Sequence, residues 1–153
     1  MPAIDPLLER MFSLASLLAV SGWLALALAP LWRRGAQLVA GWAIPVLIAI
    51  AYAGLVVRYW GESSGGFGSL AEVSALFGHH GLLLAGWLHY LAFDLFIGAW
   101  EVREAERVGL PHWTTLPALA LTFLFGPIGL LLFLGLRAAR LRTRRSRSQG
   151  EST

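Results

Sequence analysis

Four long apolar runs decide what this chain can fold into. Residues 11–31 and 37–57 each hold twenty-one residues without a charge, 80–100 is interrupted internally by His89 and Asp94, and 114–136 is uncharged throughout. Each run is long enough to cross a hydrocarbon core of roughly 30 Å as a helix rising ~1.5 Å per residue. In lipid every backbone N–H and C=O must be bonded within the segment, so helices are the form such runs take. The expected fold class is all-α, an integral membrane four-helix bundle over residues 1–136, with helices at 11–31, 37–57, 80–100 and 114–136. Composition agrees, since 57% of the residues are hydrophobic and 14% are charged. A soluble chain of this size leaves too much surface wet to hide that much apolar material, so a soluble enzyme domain is excluded, and so is disorder. The absence of cysteine removes disulfides, thiol catalysis and cysteine-ligated metals.

The ends of the runs carry Trp32, Tyr59 with Trp60, Trp100 and Trp113, the residue types that favour the headgroup zone. The first run is too long for the apolar part of a signal peptide, and Ala27-Leu28-Ala29 is followed by Pro30, so it reads as a transmembrane helix. Residues 33–36 read as a tight turn, 61–66 as a flexible Gly/Ser stretch, and 101–112 as a charged turn. Within the long loop, Leu70, Val73, Leu76 and Phe77 recur at helical spacing, which predicts a short interfacial helix over 69–77. Residues 137–153 read as a basic, disordered tail. All twelve basic residues are arginine. With four crossings, Arg10, Arg58 and the six tail arginines share one side against Arg33, Arg34, Arg103 and Arg107 on the other. That excess places both termini in the cytoplasm. The tail then binds anionic lipid headgroups. With no aromatic interleaving, it does not suit nucleic acid.

The third run is the chemically informative one. At 100° per residue, with Asp94 at zero, His80, Trp87, Tyr90 and Glu101 all fall within about 40° of it. This polar and aromatic stripe should face the bundle interior or a cavity. His89 lies about 140° away, beside Phe93, Phe96 and Trp100. An acid inside a span costs roughly 2.5–3.5 kcal/mol on insertion scales, which makes Asp94 the first candidate for proton transfer. The competing reading is an Asp bonded to a neighbouring helix for structure alone, and a bridging helix–helix role is equally open to His89. His89 has no histidine at matched depth to share a haem, and no paired Glu-x-x-His pattern exists for a di-metal site. No metal and no cofactor are therefore expected. In the fourth run Pro127 cannot donate to residue 123, so the helix should kink at Gly126-Pro127 and free carbonyls near its midpoint.

These residues resemble a known family. The string Trp87-Leu88-His89-Tyr90-Leu91-Ala92-Phe93-Asp94-Leu95-Phe96-Ile97-Gly98, continuing to Trp100-Glu101, is similar to the signature of the abscisic-acid-deficient-four (neoxanthin synthase-like) membrane proteins. So are Gly109-Leu110-Pro111-His112, the segment from Leu121 through Gly126-Pro127-Ile128-Gly129 to Leu131, and Phe12-Ser13-Leu14-Ala15 with Gly22-Trp23 and Pro30-Leu31-Trp32. The chain departs from the family at Ser16 and Ser21, where Asn and Pro are usual. The resemblance implies a small four-helix membrane protein that modifies or isomerises a carotenoid or related isoprenoid lipid. Opening an epoxide to an allenic alcohol is redox-neutral, and it needs an acid at the oxygen and a base at a nearby C–H. Asp94, His89 and Glu101 are the implied catalytic groups, and Trp87, Tyr90, His80 and Pro127 the implied substrate-binding ones. The alternative is a non-catalytic pigment- or lipid-binding component of a membrane complex, and assembly into a homo-oligomer stays open. The arginine-only, Ala/Leu/Gly-rich composition fits a GC-rich bacterium, hence a bacterial inner membrane.

Overall fold

The computed structural model describes residues 5–150. Six helices make the fold: α1 (Pro6–Ala27), α2 (Arg33–Glu62), α3 (Leu70–Gly78), α4 (His80–Val108), α5 (His112–Phe125) and α6 (Pro127–Gly150). The helix ends carry ordinary caps. The Asp5 side chain accepts from the Leu7 N–H at 2.8 Å, with Pro6 in the first turn of α1. Ser69 accepts from the Glu72 N–H at the start of α3. Gly109 closes α4 in the left-handed conformation, φ 69°, and the Leu110 N–H donates back to the Ala105 carbonyl. The first turn of the bundle is a 3₁₀ turn, Ala29–Leu31, rather than residues 33–36, which already belong to α2. Inside α2 the missing N–H of Pro45 is absorbed by a π-helical turn, Val39–Ala43, in which the Ile44 N–H reaches the Val39 carbonyl.

Helix α4 is the centre of the bundle. It packs against α1 and α2 through small and branched side chains, with Ala19, Ala40, Ile48, Leu88, Leu95 and Ala99 all buried. Lipid is as apolar as leucine, so close packing of small residues is what holds such helices together. A short helix stands where one was expected over 69–77, as α3, Leu70–Gly78. The Gly/Ser stretch before it is tied down. The Gly66 N–H donates to the Glu72 carbonyl and the Gly68 N–H to the Glu72 carboxylate.

The fourth apolar run is not one straight helix. Helices α1, α2 and α4 are the three, among the described residues, that are long and apolar enough to cross a membrane. At Gly126 the chain reverses, with φ 35° and ψ −89°. Pro127 keeps the preceding residue out of the helical region, and glycine alone accepts such a φ without strain. Helix α6 then returns along α5. Gly129 lies directly against Thr122, and Arg144 reaches Gly109, just ahead of α5. In a straight helix Thr122 and Gly129 would be ~10.5 Å apart. The run is a re-entrant helical hairpin that enters and leaves at the same end of the bundle, with its tip beside Asp94.

Three expectations change with this. The bundle has three long helices and a hairpin in place of four crossings. The described segment begins and finishes at opposite ends of the bundle, not at one end, because the chain reverses at Gly126. Residues 137–150, expected as a disordered tail, continue α6 as helix; Arg, Ala and Leu are good helix formers, and Arg137 Nε anchors the segment on Glu104 Oε1 at 2.7 Å. The remainder of that tail, 151–153, lies outside the described residues. By chain position the N-terminal end holds two arginines, Arg10 and Arg58. The other end holds Arg33, Arg34, Arg103, Arg107 and the six of α6.

Candidate functional site

The stripe on α4 meets the hairpin tip, and each contact there has a local cause. Pro127 has no N–H to give the Phe123 carbonyl. The Tyr90 hydroxyl takes that carbonyl instead, donating to it at 2.7 Å. One turn further along α4, Asp94 stands against Gly126. A Cβ built on Gly126 would lie 2.9 Å from both carboxylate oxygens, so the absent side chain is what lets the acid and the tip meet. Asp94 is half-buried, and its Oδ2 is enclosed without a hydrogen-bond partner. Two turns beyond, Glu101 is completely buried, with 0% exposure. The Thr122 hydroxyl donates to its Oε1 at 3.0 Å, while its Oε2 has no partner.

Towards the N-terminal end the same face of α4 borders an apolar groove of about 610 Å³ between α1, α3 and α4. Phe12, Phe77, Leu83 and Trp87 line it together with Glu9; His80 lines it at the start of α4, and Tyr90 is the lining residue furthest along α4. Trp87 stacks between Tyr90 and Phe12, with ring centroids 5.2 and 5.5 Å away. Its Nε1–H donates to Ser16 Oγ at 3.1 Å. Ser16, one of the two departures from the family pattern, thus orients a groove residue. Ser21, the other, bonds back to its own helix at the Leu18 carbonyl.

The structure brings together Trp87, Tyr90, Asp94 and Glu101 on one face, with His80 at the groove mouth and Pro127 beside the tip. It does not bring His89 to them. His89 is exposed, stacked on Phe93 at 4.4 Å and 5.8 Å from Tyr52. Asp94 and Glu101 are seven residues apart, ~10.5 Å along the helix, so one small group does not touch both. The face therefore carries two carboxyls with an unpartnered oxygen, of which Asp94 is the one next to the Tyr90 phenol and one turn beyond the apolar groove. Among the described residues no three His, Asp or Glu side chains gather closely enough to hold a metal ion.

Reading the sequence missed Thr122, Ser16, Phe12 and Phe77 as contributors. Nothing in their spacing marks them, since each acts across a helix pair. The Phe123 carbonyl was foreseeable from Pro127, and its acceptor role follows directly.

No curated protein and no solved structure matches the chain. A family model described as ABA DEFICIENT 4-like matches residues 10–133, from the first turns of α1 to Phe133 on α6, and it includes the groove lining from Phe12 onward, Asp94 and the hairpin tip. The chain is a membrane protein that belongs to the ABA DEFICIENT 4-like family.

Proposed function

We propose that the protein holds an isoprenoid lipid, such as a carotenoid, in the groove between α1, α3 and α4 and acts on its end group by proton transfer through Asp94. The observation that carries this is the enclosed, unpartnered Oδ2 of Asp94, one helical turn beyond Tyr90, the groove residue furthest along α4. An apolar slot of about 610 Å³ suits a segment of a hydrocarbon chain. Glu9 and His80 line the groove near the start of α4, and Asp94, one turn beyond its far end, is the acid that a polar end group reaching past Tyr90 would meet. Tyr90, whose hydroxyl is already bonded to Phe123, serves as a wall and a positioning group. Trp87, held by Ser16, and His80 complete the channel. The reaction class that fits is an acid-assisted isomerisation, in which an oxygen of the substrate gains a proton and a neighbouring C–H loses one.

The arginine distribution supports an orientation. Two arginines stand at the groove end and ten at the hairpin end, so the hairpin end faces the cytoplasm and the N-terminus the other side. The groove then opens to the non-cytoplasmic leaflet.

One observation favours a second reading. His89, the implied base, is on another face, so Asp94 has no second group converging with it. A protein that binds pigment without changing it needs no such group. Both readings are tested by expressing the protein in carotenoid-producing cells and comparing pigments that co-purify with it and accumulate in the cells. Catalysis predicts that Asp94→Asn retains bound pigment and abolishes the new product. Binding alone predicts retained pigment and no product from either protein. A protein that purifies free of any isoprenoid would sink both readings.

A further inference from the structure

We infer that the seam between α4 and the α5–α6 hairpin is a hydrated proton inlet leading from the arginine-rich end to Asp94. The inference rests on the reading of Asp94 as a proton-transferring group, and it adds where the proton comes from.

Among the described residues four buried side-chain polar atoms have no hydrogen-bond partner: Asp94 Oδ2, Glu101 Oε2, Thr115 Oγ1 and Arg140 Nε. All four belong to α4, α5 and α6, and they fall in order along one seam. Asp94 faces the tip at Gly126. Glu101 is level with Thr122, to which it is bonded. Thr115 precedes Thr122 by seven residues, so it lies on the same face of α5 and ~10.5 Å nearer the arginine-rich end. Arg140 is at the mouth, where it and Arg144 flank Gly109. Glu101 and Thr115 are each 0% exposed.

A dry seam would leave each of these groups unmatched, at about 1–3 kcal/mol apiece. Buried polar groups of this kind are ordinarily matched by internal water, which makes two to four hydrogen bonds. A file of such waters also conducts protons. The interfaces of α4 with α1 and α2, by contrast, bury mainly apolar side chains, and their polar groups, such as Ser16 with Trp87 and Gln37 with Arg103, are paired, leaving no unpartnered buried atom there among the described residues. Asp94 therefore stands between two unlike compartments. The groove on one side is apolar and takes the lipid, and the seam on the other is polar and returns the proton that Asp94 gives up. Ala105, Ala118 and Phe133 close around the seam between Glu101 and Thr115. This collar is the slow step of the path.

The chain has no cysteine, so single-cysteine variants report one position each. Thr115→Cys and Thr122→Cys are reconstituted in phosphatidylcholine–phosphatidylglycerol vesicles and treated with a small cationic methanethiosulfonate, which reacts with the thiolate that only a hydrated site supports. Leu119→Cys, in the packed core, and Ala120→Cys, on the exposed face, are the dry controls on the same helix. The expected result is labelling of Thr115→Cys about tenfold or more faster than either control. Thr122→Cys should be intermediate, and faster again when Phe133→Ala opens the collar. Seam cysteines as slow as the controls would overturn the inlet. Thr115 makes no side-chain hydrogen bond, so that variant keeps the test available even if Thr122→Cys fails to fold. No substrate is needed, so a dry seam would leave the groove reading standing. A labelled seam in a protein that retains no pigment would do the reverse.

Discussion

Replacing Gly126 by alanine tests the geometry on which the site depends. Two separate costs are expected. A φ of 35° with ψ of −89° is outside what a residue with a Cβ adopts comfortably, and such positions cost about 1–3 kcal/mol. The new methyl would also stand 2.9 Å from both Asp94 oxygens and 3.2 Å from the carboxyl carbon. Forcing the acid or the tip aside is an overpacking cost of about 1–3 kcal/mol. Together they predict a loss of about 2–6 kcal/mol. The two parts separate in a double-mutant cycle. With Asp94→Ala already present the steric part disappears and the backbone part stays, so Gly126→Ala should then cost only about 1–3 kcal/mol. SDS titration of the protein in detergent micelles, followed by far-UV circular dichroism, gives the four free energies. An equal cost in both backgrounds would show that Asp94 does not touch the tip. No cost in either would show that the chain does not reverse there.

Tyr90→Phe keeps the groove wall but strips the Phe123 carbonyl of its donor, so the same titration should show a loss of about 1–3 kcal/mol. Glu104 accepts from Arg137 at 2.7 Å and from Arg107 at 3.4 Å, so Glu104→Gln should loosen α6 from α4; faster trypsin cleavage after Arg140 than in the unaltered protein is the expected sign. Reporter fusions at the two termini should place the N-terminus outside the cytoplasm and the C-terminus within it. Reporters on the same side would contradict the re-entrant hairpin.

Much of the α4 face was legible from the sequence because it depends on one helix alone. The 100° spacing that put His80, Trp87, Tyr90, Asp94 and Glu101 together also separated His89, and the structure leaves His89 on a different face. Pro127 was legible in the same local way, through the hydrogen bond it cannot make. The reversal at Gly126 was not. A run of twenty-three apolar residues looks the same to hydropathy whether it crosses or doubles back. What separates the two is contact between α5, α6 and α4, such as Gly129 against Thr122 and Gly126 against Asp94. Counting arginines inherited that error: four crossings split them eight to four, and the hairpin splits them two to ten. The helical state of 137–150 was hidden for a related reason. Arginine and serine in sequence suggest a solvated coil, and the anchor on Glu104 is thirty-three residues away.

The Gly126-Pro127 pair also bears on how the chain is inserted during synthesis. Straightened, residues 114–136 would be ~34 Å long, enough to pierce the bilayer. The six arginines that follow would then be carried through lipid to the far side, against a penalty of roughly 2.5–3.5 kcal/mol for each one held at the bilayer centre. In the orientation proposed above, the reversal keeps them on the side on which they are made. Two residues at the tip and a cationic arm behind it thus act together as a stop, one bending the segment and the other refusing translocation. Losing either would leave the other to decide on which side the chain ends.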